Sequence, residues 1–343
     1  MDKRVNTAII GCGRISVMHL ECAKNSPKSN LVAVCDIDEE KAINTAKKYN
    51  ARAYTDYKEM IEKESLDAVH ICLPHYLHVP VAEYAFSKGI NVLTEKPMSI
   101  DYESAKNCVK KAKEAGVLYG VIFQCRYNDS SVFLKKRIGA GNKLGKVISA
   151  RSVLTWDRSK EYYACSDWKG TWDKEGGGVV IDQAIHSIDL VNWLINEDFK
   201  SISCSFANRM HPYLKVEDSA EGLVLYQSGA RYGFYCMNNY GSDEPIEIRF
   251  LCENGAAILT YEDAKILYND GTSEKLEKSS ENVLYEGAKA YWGFSHSRQI
   301  EQFYKSCLGE EKLQISGEEA LKTHKLLFEI YKQGKENLSR KTI

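Results

Sequence analysis

Hydrophobic positions follow different patterns on the two sides of residue 124. Before it, short continuous apolar runs, typical of strands buried on both faces, alternate with segments whose apolar residues recur at helical spacing. This alternation predicts an α/β fold with a doubly wound parallel sheet. The predicted strands lie at residues 8–10, 31–35, 51–54, 68–73, 91–94 and 118–123, and the predicted helices at 14–24, 39–48, 57–62, 79–87 and 102–115.

After residue 124 the predicted strands are longer, and apolar and polar residues alternate along them, as in an antiparallel sheet with two unlike faces. Turns at 227–230 and 253–255 predict hairpins. We therefore assign a first domain to residues 1–124 and a second, α+β domain with a large, mostly antiparallel open-faced sheet to residues 125–343. Its strands are predicted at 147–156, 201–209, 220–227, 231–238 and 246–252, and its helices at 130–138, 180–194, 297–307 and 317–333.

The strands of the second domain carry aromatic residues that require cover. Helices can cover one face of the sheet, but the sequence shows no second layer for the other, so we expect that face to be a subunit interface. Scattered exposed aromatics are the alternative. The residues concerned are Tyr226, Tyr232, Phe234, Tyr235 and Phe250.

The composition of the chain limits the kind of binding partner and the cellular compartment that we expect for the protein. Lys and Arg total 46 against 47 Asp and Glu, so no net charge favours nucleic acid or an anionic membrane. The 11 cysteines include no Cys-x-x-Cys pair, which is typical of a reducing compartment. No apolar run approaches the length of a membrane span, and the first strand begins too early for a signal peptide. We expect a cytoplasmic protein with a small-molecule partner.

The segment from Thr7 to Asp36 has the order strand, glycine turn, helix, strand, acid. Within it, Gly11 would make the tight turn, and Gly13 would let a pyrophosphate approach the backbone at the start of a helix. Ser16 stands where this motif commonly has a third glycine, which is a small departure. An ordinary strand-turn-helix unit without a ligand is the alternative interpretation.

Asp36 distinguishes between two cofactors. Its carboxylate is placed to hydrogen-bond a ribose 2′-hydroxyl, whereas a 2′-phosphate would meet the negative charges of Asp36 and Asp38. We therefore expect a Rossmann domain that binds NAD in preference to NADP. Arg14 and Ile15, beside the glycines, are further candidate cofactor contacts.

Lys96 directly follows a predicted parallel strand, in the sequence Glu95-Lys96-Pro97. Ligands of doubly wound sheets bind at this carboxyl edge, and Pro97 restricts the backbone of Lys96 to extended conformations. A lone lysine at a strand end is usually only a solvated charge. A catalytic role for Lys96 therefore needs support from elsewhere in the chain.

Glycines at 176–178 precede a predicted helix on which Asp182, His186 and Asp189 share one face. They remove side chains where the helix start meets either another backbone or a ligand. A purely structural helix with an acidic first turn explains this segment alone equally well. A metal site is a weaker interpretation, because the Asp-x-x-x-His pair lacks an evident third ligand; we expect no metal.

The glycine turn with His19, the segment 95–97 and the glycine-rich run leading to Asp182-x-x-x-His186 together resemble the Gfo/Idh/MocA oxidoreductases, the glucose-fructose oxidoreductase and inositol dehydrogenase family. The resemblance spans essentially the whole chain. It implies that Lys96, Asp182 and His186 are the catalytic group, and that the open-faced sheet forms homodimers or homotetramers. The cofactor contacts that it implies are Leu73, Pro74, His78, Glu95, Gln124 and Arg126.

The implied chemistry is oxidation of a secondary alcohol with NAD as hydride acceptor. Hydride loss requires removal of the hydroxyl proton, and histidine ordinarily titrates near the working pH, so His186 is a suitable base. Asp182, one turn earlier, would orient the ring, and Lys96 would hydrogen-bond the same substrate oxygen. The sequence leaves open which of Lys96 and His186 finally holds the proton.

Aromatic side chains in loop-like sequence are candidates for stacking on the C–H faces of a sugar ring. Because no arginine cluster suggests a diphosphate, we expect a neutral sugar, glycoside or inositol as substrate. A nucleotide sugar is the second hypothesis and a non-catalytic NAD-binding regulator the third. The candidate substrate residues are Tyr127, Trp168, Trp172, Trp292 and His296, with Arg126, Trp156 and Tyr163 beside them; core filling explains Trp172 equally well.

Overall fold

Strands and helices alternate between residues 5 and 121 of the computed structural model, which describes residues 3–260, 263–276 and 295–339. All neighbouring strands of this segment are parallel. The predicted doubly wound sheet is therefore confirmed. The elements are β1 (Val5–Ile10), α1 (Ser16–Asn25), β2 (Ser29–Cys35), α2 (Glu39–Tyr49), β3 (Arg52–Tyr54), α3 (Tyr57–Lys63), β4 (Ala68–Ile71), α4 (His78–Ser87), β5 (Asn91–Thr94), α5 (Tyr102–Ala115) and β6 (Tyr119–Val121).

The strand order of this sheet is β3-β2-β1-β4-β5-β6. The strand order therefore reverses between β1 and β4, and a ligand crevice lies outside the carboxyl ends of the strands at such a reversal. Gly11 follows β1 directly, and the loop that contains Leu73 follows β4. The sheet topology thus brings two of the sequence-predicted cofactor segments to the same edge.

Aspartate side chains begin three helices of this sheet. Asp38, Asp56 and Asp101 each accept a backbone N–H in the first turn of α2, α3 and α5. Such caps satisfy donors that a helix start otherwise leaves without a partner. The predicted end of α5 at Gly116 is confirmed, because that residue takes the left-handed conformation with a φ of 68°.

Helix α9 (Ser295–Cys307) packs with the first unit although it lies far along the chain. Gln299 accepts a hydrogen bond from the N–H of Phe123 at 3.1 Å and donates one to the carbonyl of Val121 at 2.7 Å. Phe303 and Tyr304 are fully buried. The described residues 295–322 thus belong with residues 3–124, whereas the sequence placed them in the second domain.

The second unit contains an eight-stranded sheet in the order β14-β13-β12-β11-β7-β10-β9-β8. Strands β7 and β10 run parallel, and the other neighbouring pairs run antiparallel, as predicted. Its elements are α6 (Asp129–Lys135), β7 (Val147–Thr155), α7 (Lys160–Ala164), a π-helical turn (Val180–Ala184), α8 (Ile185–Ile195), β8 (Phe199–Ala207), β9 (Ser219–Tyr226), β10 (Arg231–Met237), β11 (Glu247–Cys252), β12 (Gly255–Leu259), β13 (Ala264–Tyr268), β14 (Ser273–Lys275) and the later part of α10 (Gly317–Ser339). Residues 317–322 of α10 belong to the first unit.

The two faces of the eight-stranded sheet differ in burial. Tyr226, Tyr232 and Phe250 are buried on one face, and Phe234 is also buried. Tyr235 lies on the other face and is 37% exposed. Alternate residues of a strand point to opposite faces, so this second face also presents partly exposed aliphatic side chains, namely those of Val153, Leu223, Leu251 and Leu267.

Membrane insertion through a helix has no support in the described ranges. None of the helices between residues 3 and 339 that the structure describes is both long and apolar enough to cross a bilayer.

Candidate functional site

The glycine turn after β1 is built around a close backbone contact. Gly11 has a φ of 98°, and a Cβ on it would lie 2.3 Å from the carbonyl oxygen of Cys72. Any other residue there would be strained and would clash with the backbone after β4. By contrast, a Cβ on Gly13 would meet no atom within 4 Å, so open space lies over this part of the turn.

Asp36 is tied directly to that turn. Its Oδ2 accepts the N–H of Cys12 at 2.8 Å, and its Oδ1 accepts the N–H of Asp38 at 3.0 Å. The carboxylate is therefore fixed at the carboxyl end of β2. Ile37, next along the chain, is 93% exposed, which leaves an aliphatic surface beside the acid.

These features fit a dinucleotide. Helix α1 begins after Ile15 without a side-chain cap, and the positive end of its dipole lies beside the open space at Gly13, where a phosphate is favoured. The N–H groups of Ser16 and Met18 donate to the carbonyls of Gly13 and Ile15. Each oxygen of the Asp36 carboxylate retains capacity to accept from a ribose hydroxyl. Gly11, Gly13, Arg14, Ile15 and Asp36 thus lie together around one turn, with Gly13 and Arg14 exposed.

His78 links the two loops that follow β4 and β5. One ring nitrogen lies 2.8 Å from the carbonyl oxygen of Leu73, and the other lies 2.6 Å from that of Pro97. Burial lowers the pKa of the His78 imidazole. The ring therefore holds the Leu73–Pro74 backbone beside the segment that carries Lys96, whose own N–H donates to Glu95 Oε2 at 3.2 Å.

Beneath Lys96 lies a buried cluster of three histidines and one glutamate. Glu95 Oε1 is 3.1 Å from Nε2 of His19 and 3.5 Å from Nε2 of His296. The other ring nitrogen of His19 contacts His70 at 2.9 Å. The sequence predicted His296 as a substrate contact. In the structure its ring lies in this buried cluster and is 2% exposed.

Burial and hydrogen bonds oppose each other in this cluster. Burial alone raises the pKa of Glu95, but the bonds from His19 and His296 prevail and hold that pKa well below its usual range. Burial lowers the pKa of His19, and it lowers that of His70 further. We infer an ionised Glu95 that accepts Nε2–H of a neutral His19, whose Nδ1 then accepts from His70.

In the second unit, the glycines at 176–178 meet protein rather than open space. A Cβ on Gly177 would lie 2.1 Å from the hydroxyl oxygen of Tyr331, and a Cβ on Gly178 would lie 1.9 Å from the carbonyl oxygen of Glu217. The sequence left open whether this run approaches a backbone or a ligand. At these two positions the close approach is to a side chain and a backbone of the chain itself.

Asp182 and His186 are partly exposed, whereas the residues between and beside them are buried. Asp182 lies in the π-helical turn, and His186 lies in the first turn of α8. Asp182 Oδ2 accepts the hydroxyl of Tyr162 at 2.8 Å and the amide of Gln183 at 2.5 Å. The helix thus presents two titratable groups at a surface that is otherwise closed.

Asp189 does not join that pair. It is 1% exposed and accepts a bidentate hydrogen bond from Arg126, at 2.8 Å from Nε and 2.6 Å from Nη2. Thr323 donates a further bond at 2.7 Å. A π turn has more residues per turn than an α-helix, so α-helical spacing does not keep Asp182 and Asp189 on one face, and Asp189 serves a buried ion pair.

The aromatic candidates have different surroundings. Trp156 is buried and donates to the carbonyl of Glu244 at 3.0 Å, and Tyr163 is buried against Asn238. Trp172 packs edge-on against Tyr331. Trp168 and Tyr127 are partly exposed, and the ammonium of Lys169 lies near the Trp168 ring. Trp292 lies outside the described residues.

Tyr162, Gln183 and Asn238 were not predicted from the sequence. Asn238 donates to the side chain of Gln183 at 3.1 Å and to the hydroxyl of Tyr163 at 2.6 Å, which extends the network behind Asp182. Burial and the neighbouring Asp182 carboxylate raise the pKa of Tyr162 well above its usual range. Of these three residues, only Gln183 could have been found from the sequence, because it is adjacent to Asp182. Tyr162 and Asn238 come from distant segments.

A parallel sheet with a glycine turn, an open helix start and an acid at the end of β2 defines an NAD-binding protein of the oxidoreductase class. Residues 5–123 match the model of the oxidoreductase family with an NAD-binding Rossmann fold, and residues 134–258 match the GFO/IDH/MocA C-terminal domain. The chain belongs to the GFO/IDH/MocA oxidoreductase family, and its cofactor is NAD.

Three comparisons illustrate this membership. Oxidoreductase P35 of Formosa agariphila is 30% identical over 239 residues, which are 68% of this chain and 72% of that protein. The scyllo-inositol 2-dehydrogenase (NAD(+)) of Bacillus subtilis is 28% identical over 67% of this chain and 66% of its own length. The WlbA dehydrogenase of Chromobacterium violaceum, solved with NADH and UDP-GlcNAcA, has a TM-score of 0.84 and 27% identity, with 98% of this chain and 96% of that chain covered.

Gly178→Ala should destabilise the fold by about 1–3 kcal/mol, because its methyl group would overlap a backbone carbonyl that cannot move alone. Gly233→Ala is the matched control, since a Cβ there meets nothing within 4 Å; we expect a change within about 0.5 kcal/mol. Urea unfolding of both variants measures the difference. Equal effects of the two substitutions would contradict the packing explanation of the glycine run.

Asp36→Asn should raise the ratio of NADP to NAD turnover by about 10–100-fold, because a hydrogen bond to a charged group contributes about 1.5–3 kcal/mol and the amide no longer repels a 2′-phosphate. Initial rates at cofactor concentrations well below KM, which give kcat/KM for each cofactor, measure the ratio. Asp101→Ala is the control, since that carboxylate caps α5 and is assigned no role in cofactor binding. Equal turnover of the unaltered protein with both cofactors would contradict the role assigned to Asp36.

Proposed function

We propose that the protein is an NAD-dependent dehydrogenase that moves a hydride between a secondary alcohol of a sugar, glycoside or inositol and the nicotinamide. The observation that supports this proposal most directly is the partly exposed pair Asp182 and His186, with buried residues between and beside them. A base and an acid one turn apart, accessible to a substrate, are the groups that alcohol oxidation needs. The inositol dehydrogenase among the relatives supports the substrate class.

His186 is assigned as the base that accepts the proton of the substrate hydroxyl. When bound, NAD supplies the hydride acceptor, and the remaining requirement is a group that takes the hydroxyl proton as the C–H bond breaks. A neutral imidazole accepts a proton at physiological pH. Asp182 stabilises the imidazolium that results through its negative charge. Tyr162 and Gln183 hold the carboxylate of Asp182 by donating to it.

Lys96, which belongs to the cofactor domain, is assigned to hydrogen-bond the substrate oxygen. Its backbone is fixed to Glu95, which the buried histidines hold in turn. An ammonium group that donates a hydrogen bond to the developing alkoxide lowers the barrier most where it is positioned in advance. The assignment therefore gives Lys96 electrostatic stabilisation and His186 proton transfer, although either group is chemically able to hold the proton.

The cofactor and substrate contacts complete the assignment. Gly11, Gly13, Arg14, Ile15 and Asp36 are assigned to the pyrophosphate and the adenosine ribose. Further cofactor contacts are assigned to Leu73, Pro74, His78, Glu95, Gln124 and Arg126, and substrate contacts to Tyr127, Trp168, Trp172, Trp292 and His296. The buried positions of Arg126 and His296 favour a supporting role for these two residues.

A nucleotide sugar is the second candidate substrate. The relative solved with UDP-GlcNAcA is similar to this chain over nearly its whole length, which supports this class. The Arg126 guanidinium is already paired with Asp189, so it is not available as a simple diphosphate clamp. We therefore retain the neutral polyol as the first candidate.

The substrate class is tested by measuring NADH formation, from the NADH absorption band at 340 nm, with inositols, free hexoses, glycosides and UDP-sugars. Lys96→Met and His186→Asn should each lower kcat by about 10²–10⁴-fold, the usual contribution of acid–base or oxyanion groups. NAD affinity of His186→Asn should stay unchanged. Turnover that survives both substitutions would contradict the assigned chemistry, and silence on every substrate would favour a regulator.

We also propose that the exposed face of the eight-stranded sheet joins copies of this chain. Leu223→Glu on that face should shift the sedimentation coefficient to that of a smaller species, because it adds a charge beside Tyr235 on the face that would be buried. Met210→Glu, at a 63% exposed position outside the sheet, is the control. A monomer for the unaltered protein at micromolar concentration would contradict this proposal.

A further inference from the structure

We propose that Glu217 and Tyr331 are positioning residues that anchor the start of the helix carrying Asp182 and His186; the catalytic consequence of this anchor rests on the proposed function above. Glu217 lies just before β9, and Tyr331 lies on α10. Both side chains are buried, Glu217 fully so.

Between them, the two residues take every free N–H at the helix start. A helix leaves its first four N–H groups without an intrahelical partner. Here the Oε1 atom of Glu217 accepts the N–H of Gly178 at 2.9 Å and that of Val180 at 3.2 Å. The backbone carbonyl of Glu217 accepts the N–H of Val179 at 3.2 Å.

Tyr331 completes the set. Its hydroxyl oxygen accepts the N–H of Ile181 at 3.0 Å while its O–H donates to Oε1 of Glu217 at 2.6 Å. The first intrahelical bond follows immediately, from the N–H of Asp182 to the carbonyl of Gly178 at 3.0 Å. Asp182 is thus the first residue that the helix itself holds, and its position depends on the anchor one turn before it.

The glycine run provides the space for this anchor. The carbonyl of Glu217 and the hydroxyl of Tyr331 occupy the positions that side chains at 178 and 177 would fill. The same two glycines that resemble a ligand-binding loop in sequence therefore let a carboxyl and a phenol reach the helix backbone.

The charge of Glu217 adds a pH dependence to the anchor. Burial raises the pKa of Glu217 to about 7, against the opposing effect of its hydrogen bonds from Tyr331 and the backbone. The other titratable groups that sense its charge are Tyr331 and Lys335 on α10, Glu175 before the glycine run, Cys236 on β10 and Tyr163 on α7. Charge-assisted hydrogen bonds are stronger than neutral ones, so the ionised form holds the helix more firmly.

The test compares Tyr331→Phe, which removes the bridging hydroxyl, with Tyr226→Phe. The second variant is a matched control, because Tyr226 is buried and its hydroxyl lies 3.3 Å from Asn192 near the other end of α8. Hydrogen exchange measured by mass spectrometry on peptides covering residues 178–181 should accelerate about tenfold in Tyr331→Phe and stay unchanged in Tyr226→Phe. Unchanged exchange in Tyr331→Phe would overturn the anchor whether or not a substrate has been found.

Kinetics of the same variants test the positioning role. Tyr331→Phe should lower kcat about tenfold with less than a twofold change in KM, because the misplaced groups act in the chemical step. Faster exchange with an unaltered kcat would overturn positioning while leaving the anchor intact. A failure of the proposed function has a different result, in which Lys96→Met and His186→Asn leave turnover unchanged.

Glu217→Gln preserves the size and an acceptor oxygen but removes the charge. The ratio of kcat for the unaltered protein to kcat for Glu217→Gln should rise as pH increases through about 7. A ratio that does not change from about pH 5.5 to about pH 8.5, a range of about 1.5 units on either side of the transition, would overturn the role of the charge.

Stability provides a readout of Glu217 that needs no activity. The pKa of Glu217 is raised on folding, so its contribution to stability is fully present below its usual value of 4.5 and is lost as pH rises through about 7. The unaltered protein should therefore lose stability relative to Glu217→Gln across that window. A stability difference that is constant with pH would contradict the titration.

Discussion

The contact between Gly178 and the carbonyl of Glu217 is the constraint on which the second unit of this protein depends. The distance leaves no room for a methyl group, and it brings one buried carboxyl within reach of the helix start. Asp182 and His186 remain partly exposed although the residues between and beside them are buried, and the first turn before Asp182 is held by buried groups. The cofactor half uses a similar device, in which Gly11 lies against the carbonyl of Cys72. In both units, a glycine permits a backbone approach that sets the position of a functional group.

Glu95 and Glu217 show how their partners determine the charge of a buried carboxyl. Burial raises the pKa of both side chains. For Glu95, hydrogen bonds from two imidazoles outweigh burial and hold the pKa well below its usual range, whereas for Glu217 burial outweighs the bonds from one phenol and three peptide groups. The first carboxylate therefore stays ionised and gives the backbone of Lys96 a fixed acceptor. The second titrates near neutrality, where dehydrogenases commonly work, and couples helix position to pH.

Local signals in the sequence located most of the helices and strands because the physics of those elements is local. Helix α5 spans residues 102–115 as predicted, since the side-chain cap of Asp101 and the left-handed Gly116 that bound it act within one turn. The strands of the parallel sheet were evident because burial on both faces produces continuous apolar runs. Strands β12, β13 and β14 were not predicted; they have three to five residues each and become strands through hydrogen bonds to their neighbours. The short helix α7, which places Tyr162, was missed for a similar reason.

The sequence alone determined that the chain has a glycine turn, a helix and an acid spaced for NAD, and that it resembles the family to which it belongs. Spacing along one segment is sufficient for these features, because they arise within a single strand-turn-helix unit. Only the tertiary structure decided which polar groups become partners. It paired Asp189 with Arg126, His296 with Glu95, and the glycines at 177 and 178 with Tyr331 and Glu217. These partners lie between 39 and 201 positions apart in sequence, and local spacing carries no information about which distant side chain fills the space beside a given residue.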